Sequence, residues 1–419
     1  MPPLTINAYR VGGYVRDTLL GLNPVDRDWV VVGHTAEEML ALGFTQVGAD
    51  FPVFLHPESK EEYALARTER KTAQGYHGFE VFAEPNVTLE EDLARRDITI
   101  NAMAMTAQGE LVDPYGGQAD LKAGIIRHVT HAFSEDPVRI LRVARFVARY
   151  NYTIAPETLT LMKDMVQLGE VDTLVPERVW AELWKALNEP RPSLFFDTLH
   201  ECGALARLFP ELAALDGVPQ PAEHHPEIDT FVHTMMVVDM AAQLSTDPIT
   251  RFAALVHDLG KGVTPCEDWP SHHDHEALGV PLVEAMCERL KAPKECRILG
   301  ARVSELHLNA HRALELRPKS VLKILERLDG LRNPDRLERF LIACEADARG
   351  RKGLEQRHYP QAEYLRVCFD AARQVSSKDI LARGFTGPRV GELLHTERIR
   401  AIKGIKQRWP AISGQHSDE

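Results

Sequence analysis

Gly12-Gly13-Tyr14-Val15-Arg16-Asp17, followed by Asp26-Arg27-Asp28-Trp29-Val30-Val31-Val32, is the stretch that decides how this chain folds. The run from Trp29 to Val32 is apolar and β-branched, the composition of a buried strand. Asp26 and Asp28 stand at its head, two residues apart and therefore on one face of an extended chain. Two like charges about 4 Å apart repel by roughly 4 kcal/mol at an effective dielectric of 20, so the pair is either well solvated or held by a cation. Hard oxygen donors at a strand edge suit Mg²⁺. The glycine turn upstream opens a helix, and such a turn lets the backbone approach a phosphate. Each signal alone has a plainer reading, a solvated strand end or a bare strand-to-helix turn. Together they predict metal-assisted chemistry on a nucleotide.

Around this nucleus the first part of the chain alternates strands and helices. Strands are expected over 6–11, 29–32, 53–55, 63–67, 79–82 and 110–112, with helices over 15–20, 36–42 and 89–95. The 75–78 stretch, bounded by glycines, reads as a mobile loop. Beyond about residue 118 the apolar period changes to 3.6, with helices expected over 140–150, 156–168, 177–187 and 194–202. The proline-rich 219–226 stretch reads as a linker. A helical, histidine-bearing region follows, and then a helical tail.

Bulk properties set the frame. A chain of 419 residues exceeds one ordinary core, so several domains are expected. The net charge of −12 argues against broad, non-specific nucleic-acid binding and leaves room for a local basic surface. The six cysteines show no regular framework, as expected of reduced thiols in a cytoplasmic protein. No apolar run reaches membrane-spanning length, and no secretory signal is visible at the N-terminus.

Three further constellations carry chemistry. Arg95-Arg96-Asp97-Ile98-Thr99-Ile100-Asn101-Ala102 sets a charged head on an apolar run. Arg96 could face phosphate or ribose with Asp97 holding it, or the charges could form a surface ion pair of little energetic worth. Glu135-Asp136-Pro137-Val138-Arg139-Ile140-Leu141-Arg142-Val143-Ala144-Arg145 starts a helix whose first-turn acids and early proline suit its N-terminus. Arg139, Arg142 and Arg145 are spaced by three and share a stripe. They serve either as a solvated basic face or as a set that meets an anion and reads base edges. Third, His233, the pair His257-Asp258 and Asp347 offer imidazole and carboxylate ligands, with His275 and His307 as further candidates. An adjacent His-Asp pair can ligate one metal, or two through a bridging Asp. This donor set suits Mn, Ni, Fe or Zn better than Mg²⁺. A lone His on an apolar face is otherwise a satisfied core residue. No P-loop, zinc-protease helix or Gly-x-Ser-x-Gly elbow is present.

The strings GGYVRDTLLG, DRDWVVVG, RRDITINAMA, DPYGGQADL and EDPVRILRVARF resemble those of class II tRNA nucleotidyltransferases, the CCA-adding enzymes, in their bacterial multifunctional form with an HD phosphohydrolase domain. The resemblance covers nearly the whole chain and implies an α+β architecture. An N-terminal nucleotidyltransferase α/β head would span 1–117, an all-α neck and body 118–217, an HD domain 228–330 and a helical tail 331–419. It also implies roles. Asp26 and Asp28 would bind Mg²⁺ and act as the catalytic pair. Gly13, Arg16, Arg96, Arg142 and Arg145 would bind CTP or ATP. Asp136 and Arg139 would form a protein template for the base edges, coupled to a mobile loop over 67–78. Glu62 is the candidate for a third carboxylate. His233, His257, Asp258 and Asp347 would hold a transition metal such as Ni²⁺ or Mn²⁺. The implied activities are template-independent addition of CCA to tRNA 3′ ends and hydrolysis of phosphate esters, as a 2′,3′-cyclic phosphodiesterase, 2′-nucleotidase or phosphatase. Monomer and homodimer are both compatible. The rivals are a bacterial poly(A) polymerase and an HD phosphohydrolase with a regulatory nucleotide-binding head. Basic residues at 398–408 and around 327–339 are candidate phosphate contacts.

Overall fold

The computed structural model describes residues 6–24, 27–47, 53–71, 79–223 and 225–415. Asp26 and most of the expected mobile loop, residues 72–78, lie outside the described residues. The chain is α+β and divides into two compact units. One comprises residues 1–183 and 194–208, the other 184–193 and 209–419.

The first unit is built on strands β1 (Ala8–Val11), β2 (Asp28–Val31), β3 (Thr45–Val47), β4 (Val53–Leu55), β5 (Glu62–Leu65), β6 (Thr68–Lys71), β7 (Phe79–Phe82), β8 (Ala104–Met105) and β9 (Leu111–Val112). Seven of them form one sheet in the order β3-β4-β5-β2-β1-β8-β9, and β6 with β7 makes a separate antiparallel ribbon. Only β2 and β5 pair in parallel within the large sheet. The period of two sorts the side chains. Val11, Val30, Leu93, Ala102 and Ala104 pack on one face; Trp29, Val31, Met39, Phe54 and Tyr63 pack on the other. β2 begins one residue earlier than its apolar run suggests. Asp28 is thereby a sheet residue, paired with Glu62 of β5.

Helices cover and extend this sheet. The Gly13–Leu19 helix follows β1 directly, and the Leu89–Ala94 helix starts on a capping box of Thr88 and Glu91. The Val138–Tyr150 helix ends on Asn151 in the left-handed conformation. Its apolar residues Ile140, Leu141, Val143 and Ala144 are buried, and so are Arg139 and Arg145, so a solvated basic face is excluded.

The second unit is helical. Thr230–Leu244, Pro248–Leu255, His275–Arg289, Lys294–His311 and Pro334–Arg349 surround the histidines, and Pro360–Gln374 and Pro388–Gln415 complete the bundle. Val237, Leu299, Val321, Phe340 and Leu365 share its core. The 219–226 stretch is not a plain linker. Gln220 and His225 are buried, and Pro219 bridges Asp229. Prolines there shape a turn that this unit packs against itself.

Candidate active sites

In the first unit the strand ends and the glycine turn meet in one cleft of about 230 Å³, lined among others by Asp28, Glu62, Arg67, Arg95 and Arg96. Asp28 and Glu62 are exposed and lie in register on the only parallel pair of the sheet. Gly12 has φ of 65°, and a Cβ there would stand 3.0 Å from Nη1 of Arg96. The glycine is therefore needed twice, for the backbone conformation and for the arginine's approach.

Arg96 is held from behind. Its Nη2 donates to Asp92 Oδ2 at 3.2 Å, and Arg95 Nη2 donates to Asp92 Oδ1 at 2.7 Å. Asp92 is fully buried. Burial pushes its carboxyl up, but the two guanidinium groups prevail and hold it below the usual range. Nothing hydrogen-bonds Arg96 Nε, although it is buried. Arg16, 4 % exposed, donates from Nη1 to Asn101 Oδ1 at 2.5 Å and stands over the Phe146 ring at 5.3 Å.

Asp97 joins this shell to the Val138–Tyr150 helix. Its Oδ1 accepts from Ile98 N at 2.9 Å and Asn101 Nδ2 at 3.1 Å, and its Oδ2 accepts from Arg142 Nε at 2.7 Å. Against the upward push of burial, Arg142 and Asn101 bring the carboxyl down to about 2. The three arginines of the stripe are thus fixed by different partners. Arg142 has Asp97, Arg145 donates to Glu182 at 2.8 Å, and Arg139 donates to the carbonyls of Ala132 (2.8 Å) and Arg95 (2.7 Å). Asp136 accepts from Arg178 Nη2 at 2.6 Å and from the backbone of Val138 at 3.1 Å. Arg178 and Glu182 are one turn apart on the Pro176–Leu187 helix. Sequence reasoning missed them, because their partners lie some forty positions upstream. Asp92 was findable, since it precedes Arg95 and Arg96 by three and four residues on a helix.

The second unit gathers the histidines. His233 Nε2 is 3.2 Å from Asp347 Oδ1, and His257 Nε2 is 3.1 Å from Asp258 Oδ2 and 3.8 Å from Asp347 Oδ1. All four side chains are buried, and neither His233 Nε2 nor His257 Nε2 has a hydrogen-bond partner. His257 Nδ1 donates to the carbonyl of Ala254 at 2.8 Å, which fixes the tautomer and leaves Nε2 as a lone pair facing the carboxylates. His233 Nδ1 lies 2.9 Å from Glu227 Oε1. Orphaned, buried imidazole nitrogens around paired carboxylates are the donor set of a borderline divalent metal. His311 Nε2 contacts Asp347 Oδ2 at 2.6 Å, and Lys261 Nζ lies 2.6 Å from Asp258 Oδ2. Burial pushes both carboxyls up, yet the surrounding cations hold Asp258 and Asp347 well below the usual range. His275 and His307 are buried beside Asp258, and burial lowers His307 to about 3. Glu227, Lys261 and His311 were not foreseen. Glu227 sits just past the stretch read as a linker.

The basic residues expected to meet phosphate are largely paired. Arg327 contacts Glu305, Arg336 donates to Glu295 and Arg339 to Asp247, while Lys406 Nζ donates to the carbonyl of Leu316 at 2.7 Å. Among the described residues no helix is long and apolar enough to cross a membrane.

Known proteins resemble the chain in the same order of parts. Residues 8–127 match the Poly A polymerase head domain, residues 151–215 the probable RNA and SrmB-binding site of polymerase A, and residues 230–349 the HD domain. The sequence is 59 % identical to a multifunctional CCA protein of Thioalkalivibrio sulfidiphilus, covering 96 % of this chain and 100 % of that one. It is 58 % identical to a multifunctional CCA protein of Nitrosococcus oceani, covering 95 % and 98 %. The fold is similar to that of a Bacillus stearothermophilus CCA-adding enzyme in complex with CTP, with TM-score 0.62, 22 % identity and coverage of 99 % and 95 %. It is also similar to a Thermotoga maritima CCA-adding enzyme complexed with tRNA, with TM-score 0.62, 20 % identity and coverage of 96 % and 88 %.

Proposed function

We propose that this chain, which belongs to the multifunctional CCA protein family, adds CCA to tRNA 3′ ends from CTP and ATP and hydrolyses phosphate esters at a second site. In the head, the tRNA 3′-hydroxyl attacks the α-phosphate of the nucleotide and pyrophosphate leaves. Asp26 and Asp28 would hold Mg²⁺, with Glu62 as a further oxygen donor. When bound, the cation supplies acidification of the attacking hydroxyl and charge neutralisation at the leaving oxygens. The observation that carries this reading is the shared cleft of Asp28, Glu62 and Arg96 beside the Gly12 turn.

The side chains divide the remaining work. Gly13 lets the backbone approach the triphosphate. Arg16, Arg96, Arg142 and Arg145 bind the nucleotide and offset charge that grows as pyrophosphate departs. Asp92, Asp97 and Glu182 position these arginines before the nucleotide arrives. Asp136 and Arg139 read the base edge in place of a nucleic-acid template, and the 67–78 loop couples to the change from C to A. Asp136 is tied to Arg178, so reading a base involves exchanging that partner.

In the HD site His233, His257, Asp258 and Asp347 would hold a transition metal such as Ni²⁺ or Mn²⁺, which supplies Lewis acidity toward a phosphate ester when bound. Lys261 adds positive charge beside Asp258 for the substrate phosphate. We place the HD site's boundary so that Asp347 belongs with it, and the protein's work in the cytoplasm. Asp28→Ala should abolish CCA addition and leave hydrolysis of a 2′,3′-cyclic nucleotide intact; His257→Ala should do the reverse. Loss of both activities in either single, folded variant would contradict two separate sites.

A further inference from the structure

We infer that Asp258 bridges two metal positions, and that His275 and His307 complete a second cation site beside the one formed by His233, His257 and Asp347. The inference rests on the HD-site reading above and goes beyond it. Asp258 turns one oxygen each way. Oδ2 faces His257 at 3.1 Å and Lys261 at 2.6 Å. Oδ1 accepts no hydrogen bond although it is buried, and it lies 3.3 Å from His275 Nε2 and 3.5 Å from His307 Nε2.

The two imidazoles are oriented by the backbone. His275 Nδ1 donates to the carbonyl of His272 at 2.8 Å, and His307 Nδ1 donates to the carbonyl of Ser304 at 3.0 Å. A carbonyl can only accept, so both Nδ1 atoms carry the proton, and each neutral ring presents a lone pair at Nε2. Those two nitrogens stand 3.5 Å apart. Two lone pairs and a carboxylate oxygen then converge in a buried space with no proton to share. A cation resolves that arrangement. The triangle has edges of 3.3, 3.5 and 3.5 Å. Three donors about 2.1 Å from a cation at tetrahedral angles stand about 3.4 Å apart.

The backbone makes room for this convergence. A Cβ on Gly260, two residues after Asp258, would stand 1.9 Å from the His275 carbonyl oxygen, and one on Gly279 would stand 2.3 Å from Ser304 Oγ. Glycines at both positions let the His275–Arg289 helix approach Asp258 and the Lys294–His311 helix. His275 itself follows Asp274, which adopts a left-handed φ of 58°. Strain and close approach at one point are consistent with a built site. A bridging carboxylate suits cations about 3.5–4 Å apart, a spacing that clamps two oxygens of one phosphate.

Metal counting tests this. The full-length chain carrying Asp28→Ala, to take the head out of the count, is stripped with chelator and equilibrated with Mn²⁺. Bound Mn is then quantified, and its paramagnetic resonance spectrum is recorded. Two Mn per chain with an exchange-coupled spectrum is expected, falling to one uncoupled Mn in the added His307→Gln variant. One uncoupled Mn in the Asp28→Ala chain overturns the second site and leaves the first. No bound Mn overturns the HD-site reading as well. Two Mn that persist in His307→Gln contradict the assignment to this histidine. Should His307→Gln fail to fold, the count and the coupling in the parent chain still decide.

Discussion

Asp97 serves two neighbours at once, Asn101 through Oδ1 and Arg142 through Oδ2. Its carboxyl is brought to about 2 from an ordinary 3.8. A carboxyl depressed on folding contributes stability that is complete above about pH 4 and is lost as the pH falls through about 2. The shift corresponds to about 2 kcal/mol. Asp97→Asn should therefore flatten the acid limb of the stability curve over that window and cost about 2 kcal/mol at neutral pH, measured by urea unfolding. An unchanged acid limb would mean that Arg142 is held by something else. Asp136 makes a separate prediction. Asp136→Ala should shift the preference between CTP and ATP far more than the Mg²⁺ concentration needed for half activity. An unaltered C-to-A discrimination would remove Asp136 from base reading. At this scale the sequence was informative about residue types and silent about partners. Arg139, Arg142 and Arg145 were legible as one stripe. Their separate anchors, two carbonyls, Asp97 and Glu182, come from other elements, and no local spacing encodes those contacts.

The Pro176–Leu187 helix shows what an element contributes beyond its own face. Its Arg178 and Glu182 pin Asp136 and Arg145, so one helix sets both a proposed base-reading group and a proposed phosphate-binding group. Arg145 and Glu182 are both buried, and removing one member of a buried ion pair is costly. Glu182→Ala should destabilise the first unit by about 3 kcal/mol. It should also raise the KM for both nucleotides, with Glu182→Gln recovering part of each loss. A KM left unchanged by a variant with the expected stability loss would make the pair purely structural. Helix positions were readable from the 3.6 period to within a residue or two, because caps such as Thr88 with Glu91 mark their starts. The shortest strands were not. Thr45–Val47 and Ala104–Met105 have too few residues to show alternation, and the sheet supplies the pairing that defines them.

Across the whole molecule, two compact units carry chemically different donor sets: exposed oxygens at a sheet edge in one, buried imidazoles with carboxylates in the other. The difference was visible in the sequence as two separate clusters of residue types. The turn containing Gln220 and His225 was not, since proline content alone cannot tell a linker from a buried turn. The central claim is transfer of C, C and A by the head. The most direct test supplies CTP and ATP with Mg²⁺ to tRNA lacking its 3′ CCA and follows the product at nucleotide resolution, for the wild type and Asp28→Ala. The account predicts addition of CCA and then a stop, with loss of at least a thousandfold in the variant, about 4 kcal/mol of transition-state stabilisation. Long A-tails, or no incorporation by the folded wild type, would contradict it.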